Sequence, residues 1–140
     1  MVKLVNRAKM TISSTGTGTI TLAAADAGGY QSFSAAGVSD GDLIRYCIED
    51  GDNFELGAGI YTASGTTLSR TVAESNNGGA AITCTADAKV FVTATEADMR
   101  PIFSTTAPAN PHSGNEWVDT ATFKKYVYYD DGSSAQWVQV

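Results

Sequence analysis

A chain of 140 residues has the size of one domain with an appendage and can enclose only a modest core. Charged residues are just 17% of it, Thr, Ser, Ala and Gly are abundant, and long Leu-rich or Lys/Glu-rich runs are missing, so the composition suits strands and turns rather than helices. A net charge of −6 with scattered cations lacks the basic stripe that a nucleic-acid partner requires, and no apolar run approaches the ~20 residues needed for membrane insertion. Nothing at the N-terminus reads as a signal peptide, which leads us to expect synthesis in a cytoplasm.

Residues 1–9 show no period and read as an arm with a small basic group, Lys3, Arg7 and Lys9. Met10 and Ile12, then Ile20 and Leu22, flank the run Ser13–Thr19 and predict a first hairpin turning at Gly16 and Gly18. That turn is wide and polar, so it specifies its register weakly. Ala23–Ala27 reads as one helical turn stopped by Gly28-Gly29. Tyr30 and Phe33 follow as aromatics expected to seal one end of a barrel or sandwich.

Asp40–Val72 is the stretch around which the chain is organised. Ile44, Tyr46 and Ile48 share one parity in Leu43–Glu49, and Phe54, Leu56, Ala58 and Ile60 share one in Phe54–Tyr61. Side chains alternate along a strand, so each segment is expected to bury that face. Asp50-Gly51-Asp52 supplies a short hairpin turn, and Ser64-Gly65 another before a third strand carrying Leu68, Arg70 and Val72. Ala73–Gly79 reads as a flexible connection. Two further strands are expected at Ala81–Ala86, with Ile82 and Cys84, and at Lys89–Thr95, with Val90 and Val92. The sum is an all-β fold, an antiparallel β-sandwich or small barrel of about seven strands.

At Thr95–Met99 one helical turn is possible, with Thr95 as N-cap and Asp98 at its third position, ended by Arg100-Pro101. Ser104–Gly114 holds two prolines and reads as an extended strap. Asn115–Val140 returns to β structure as three short strands around Trp117, Tyr126 to Tyr129 and Trp137, turning at Asp130-Asp131-Gly132. The organisation is therefore an N-terminal β-domain at 1–98, a Pro-containing linker at 99–114 and an aromatic β-segment at 115–140. A three-stranded piece of 26 residues is too small to be stable alone, so its aromatics require a partner surface, either the domain at 1–98 of the same chain or a neighbouring subunit.

The ordered string GTGTITL, GYQSF, EDG, ELGAGIYTASGTTLSRTV and FVTATEAD resembles a small β-domain of tail-fibre and tail-tip proteins of tailed bacteriophages, over residues 5–98 or so. GNEWVDTATFKKYVYYDDGSSAQWV resembles a Trp-bracketed β-motif of phage fibres and other virion proteins. The resemblance implies a non-enzymatic virion structural protein, a tail-fibre or tail-tip adaptor or attachment component made in the host bacterial cytoplasm. Its implied partners are further copies of itself, as a homotrimer, and other virion proteins. Trp117, Tyr126, Tyr128 and Trp137 are the expected interface residues, because aromatic anchors dominate interface energetics. Two alternatives stand beside it: a capsid decoration or head-fibre protein, and a carbohydrate-binding module in which Trp117 and Trp137 stack on host-surface glycan.

Residues for catalysis, metal or cofactor are not assembled by the sequence. His112 stands alone in a Pro/Gly-rich loop, without a nucleophile beside it. Glu49, Asp50, Asp52 and Glu55 cluster at one hairpin instead of facing across a groove, as paired glycosidase carboxylates do. The same stretch departs from calcium-loop spacing and is flanked by strands. Cys47 and Cys84 are either two small buried hydrophobes or a disulfide between strands.

Overall fold

The computed structural model describes all 140 residues as eleven strands and one 3-10 turn. Contacts divide the chain into a unit of residues 2–94 and a unit formed by 95–140 with Met1. The strands of the first are β1 (Lys9–Ile12), β2 (Ile20–Ala25), β3 (Leu43–Asp50), β4 (Asn53–Thr62), β5 (Thr67–Leu68), β6 (Thr71–Ser75) and β7 (Lys89–Val92). Those of the second are β8 (Ile102–Ser104), β9 (Glu116–Asp119), β10 (Lys124–Asp130) and β11 (Ala135–Gln139).

The first sheet runs β3-β7-β1-β2-β5-β4-β6, and β3 also pairs with β4, so the sheet closes on itself as a small antiparallel barrel. Closure removes the open edges that a flat sheet would expose, except at β6, which lies outside the ring and pairs with β4 alone. The long strand β4 carries β5 on its C-terminal half and β6 on its N-terminal half. What the sequence suggests as one strand through Leu68 and Val72 is thus two, broken at Ser69-Arg70. Inside lie Met10, Ile12, Ile20, Leu22, Phe33, Ile44, Tyr46, Ile48, Leu68 and Val90. The first hairpin forms as expected, with an irregular register between Met10 and Ile12.

The face of β4 is the reverse of the expected one. Glu55, Gly57, Gly59 and Tyr61 point inward, while Phe54, Leu56, Ala58 and Ile60 lie on the outer wall, half-buried or exposed. Space is the reason. Tyr46 pairs with Gly57, and a Cβ there would overlap the Tyr46 hydroxyl and Thr71 O; at Gly59 it would overlap Ser69 O and Leu68. The narrow barrel holds large side chains from β3 and β5, and β4 passes behind them on glycine.

Other expectations are corrected as well. Ala23–Ala27 is not helical: Ala25 pairs with Met10, and Thr11 Oγ1 accepts a bond from Ala24 N at 3.1 Å and donates to Ala24 O at 3.3 Å. The ladder overrides alanine's helical preference. Ala73–Ser75 belongs to β6 and is no loose connection. Ala81–Ala86 is not a strand; its groups bond singly, Cys84 N and O to Gly16 and Thr85 N to Asp50. Ile82 and Cys84 are nevertheless buried. Phe33 is fully buried, whereas Tyr30 is exposed.

The expected cap at Thr95 forms: the Asp98 carboxylate accepts from Thr95 N at 2.8 Å and Thr95 Oγ1 at 2.9 Å, around the 3-10 turn Glu96–Met99. The span 99–114 is not wholly a linker. Its residues Ile102–Ser104 form β8, which pairs in parallel with β9, so the C-terminal sheet has four strands in the order β11-β10-β9-β8. Parallel pairing across an intervening loop leaves no local hairpin signal in the sequence.

Candidate functional site

The cross-strand register of β9, β10 and β11 brings the four expected interface residues together. Tyr126 stands opposite Trp117, and Tyr128 opposite Trp137. Directly paired residues share a face, so all four rings project to one side of the sheet. Trp117 stacks on Tyr126 with centroids 4.8 Å apart, Trp137 meets Trp117 edge-on at 5.7 Å, and Tyr128 meets Trp137 edge-on at 5.3 Å. These are the offset and T-shaped arrangements that ring quadrupoles favour. Trp117 is buried, and its indole donates to Ser104 O at 3.1 Å, tying β9 to β8. Tyr126, Tyr128 and Trp137 are half-buried.

The opposite side of this sheet is apolar too. Phe103, Val118, Val127 and Val138 alternate with the inner rings, and Phe103 is 65% and Val138 40% exposed. Tyr129 shares that side and is 54% exposed. The charges there, Lys125 and Glu116, pair at 2.8 Å and cancel. Sequence reading singles out one face; the other was missed because Phe103 lies in the stretch read as a linker. At the β10–β11 turn, Asp131 accepts bonds from Ser134 N and from Ser133 N and Oγ, which hold its carboxyl down at about 2.

The acids at the Asp50-Gly51-Asp52 hairpin do not converge. Glu55 points into the barrel, Asp50 accepts from Thr85 N at 2.6 Å and Oγ1 at 2.8 Å, Glu49 lies on the outer wall near Lys9, and Asp52 is exposed in the turn. No group of three or more His, Cys, Asp or Glu side chains could hold a metal ion. His112 is exposed, its backbone N–H donating to Asn115 Oδ1 at 2.6 Å. Cys47 and Cys84 are free and buried, not disulfide-bonded. Burial, then the neighbouring Glu49, pushes the Cys47 thiol up to about 11, and burial likewise raises Cys84. Thiols held protonated are poor nucleophiles.

One chemical cluster went unnoticed in the sequence. Glu55 is 0% and the Arg70 side chain 3% exposed, and the two form a bidentate pair in the barrel interior. Tyr46 Oη donates to Glu55 Oε1 at 2.7 Å and Ile82 N to Oε2 at 2.9 Å; Arg70 also donates to Ile82 O at 2.8 Å and Gly16 O at 3.2 Å. Burial works to raise the Glu55 pKa, but the bonds from Arg70, Tyr46 and Ile82 outweigh it, and the carboxyl lies below its ordinary value. Burial, then the Glu55 bond, raises the Tyr46 hydroxyl pKa. No buried side-chain nitrogen or oxygen lacks a partner, so the cluster is a fastener joining β3, β4, the Ser69-Arg70 break, the first turn and the segment at Ile82. The lone signal for it is a Glu on the parity that turns out to be the core face.

No helix is long and apolar enough to cross a membrane. No protein-family model, no curated protein and no solved structure matches this chain.

Proposed function

We propose that this chain is a non-enzymatic structural component of a tailed-bacteriophage virion, a tail-fibre or tail-tip adaptor that assembles with copies of itself and with neighbouring virion proteins through its β surfaces. The observation that carries this reading is the C-terminal sheet. It is a single layer bearing large apolar side chains on both faces, with outer edges at β8 and β11 that pair with no other strand. An apolar sheet face is stable when another layer covers it, and an open edge is a template for a further strand. Residues 95–140 supply no second layer of their own, only the 3-10 turn. The resemblance of residues 5–98 to tail-fibre domains supports the same role.

On this reading the half-buried Trp137 and the exposed Phe103 are assembly anchors on opposite faces. Light scattering is expected to give a mass that is a multiple, three by preference, of the 14.6 kDa chain. Trp137→Ala is expected to lower that mass while the far-ultraviolet circular dichroism of the barrel is retained. A monodisperse wild-type monomer at the highest attainable concentration, or a Trp137→Ala variant in an unchanged oligomer, would overturn the reading. Gold-labelled antibody on intact particles then distinguishes tail from head.

A further inference from the structure

On the outer wall of the barrel a cleft of about 350 Å³ is bounded by Arg7, Lys9, Tyr30, Glu49 and Phe91. Every one of these residues belongs to the 2–94 unit, and none of them is among the aromatic residues of the C-terminal sheet. Arg7 is held in place three ways. Its Nε donates to Gly29 O at 3.2 Å, its Nη2 donates to Gly28 O at 2.7 Å, and its guanidinium carbon lies 4.6 Å from the centroid of the Tyr30 ring. Nη1 takes part in neither bond and remains a fixed donor. The Arg7 backbone sits at φ 55°, a left-handed conformation that a bulky L residue adopts only when its surroundings enforce it.

Lys9 adds a second cation, 5.5 Å from the Tyr30 centroid and 5.4 Å from that of Phe91. Its ammonium is 3.7 Å from both Asp26 and Glu49, and Glu49, 54% exposed, is the carboxylate lining the cleft. Two anchored cations beside two rings form an unusual surface on a chain whose net charge is −6. A bare inorganic anion would use the cations and leave the rings idle; a neutral apolar ligand would do the reverse. A volume near the lower end of ligand pockets, ~300–1,000 Å³, suits one or two rings and not an extended polymer.

We infer that this cleft binds a small acidic saccharide, its carboxylate on Arg7 and Lys9, a C–H face of its ring against Tyr30 and Phe91, and a hydroxyl donating to Glu49. Arg suits the carboxylate because its planar fork matches that geometry. The inference stands on the barrel alone and is independent of the assembly reading.

Isothermal titration of the intact chain with glucuronate, glucose and inorganic phosphate tests it. Glucuronate is expected to bind saturably in the millimolar range, with glucose and phosphate each at least about tenfold weaker. Arg7→Gly removes the guanidinium while glycine accepts the backbone angle, and is expected to cost about tenfold or more in glucuronate affinity. Phe91→Leu keeps apolar bulk without a ring and is expected to weaken binding as well. Absence of saturable glucuronate heat, glucose or phosphate binding equal to glucuronate, or indifference to Arg7→Gly in a variant with native circular dichroism would overturn the inference.

Discussion

The barrel at 2–94 and the sheet at 95–140 are both built from short strands, yet they treat apolar surface in opposite ways. The barrel closes its hydrogen-bond ring and hides Phe33, Ile44, Ile48, Leu68 and Val90 completely. Its large exposed apolar residues are Leu4, Tyr30 and Ile60. The smaller unit leaves Met99, Phe103, Phe123, Tyr129, Val138 and Val140 exposed on roughly half as many residues. Closure makes a sheet self-sufficient, and an open single layer stays dependent on whatever covers it. The contrast teaches that perturbing the barrel should read out as folding, and perturbing the sheet as association.

The largest expected effect is at the barrel's interior ion pair. Arg70→Met leaves Glu55 buried without its cation and should cost about 3–5 kcal/mol, visible as a collapse of the urea midpoint. A midpoint within experimental error of wild type would mean that the pair does not hold the barrel shut. Next comes Gly57→Ala, whose added methyl has to displace the Tyr46 ring or the Thr71 backbone. A loss of about 1–3 kcal/mol in chemical denaturation is expected.

Acid should open the same unit. Glu55 has a folded pKa below its ordinary 4.5, so the unfolded chain binds more protons and stability declines as pH drops. The contribution is fully present above that ordinary value and is lost as pH falls through the lower folded one. Stability measured stepwise from neutral pH into acid should therefore fall more steeply for wild type than for Glu55→Gln; parallel curves would contradict the assignment. The smallest folding effect belongs to the other unit. Phe103→Ser, at a largely exposed position, should move stability by no more than about 0.5 kcal/mol yet reduce self-association in sedimentation velocity.

Strand alternation made much of this fold legible. Ile44, Tyr46 and Ile48 face inward as their parity indicates, Gly51 turns the β3–β4 hairpin at φ 60°, and the rings of β9 to β11 assemble from simple register. The reversal of β4 was not legible, because pattern reading weights apolar residues while the barrel interior is decided by volume. Gly57 and Gly59 are core positions by virtue of having no side chain, and Glu55 is one because Arg70, fifteen residues later, arrives to neutralise it. Strand β8 and the single bonds of the Ile82–Thr85 segment depend on partners remote in sequence, which local patterning cannot reach. Of the barrel cleft, Arg7 and Lys9 stood out as basic residues and Tyr30 as an aromatic; that Phe91 lies beside Lys9 is a product of the β1–β7 ladder, which local patterning does not show.

The parallel alignment of β8 with β9 carries a kinetic corollary. Strands β9, β10 and β11 join through short reversals and can zip locally, while Ile102–Ser104 must wait for the intervening loop to close before it finds Trp117–Asp119. β8 is therefore last to arrive and first to leave, and amide hydrogens along that seam should exchange ahead of the rest of the sheet. A strand of only three residues thus covers one edge of β9, and its fraying would bare that edge before any other seam of the sheet opens.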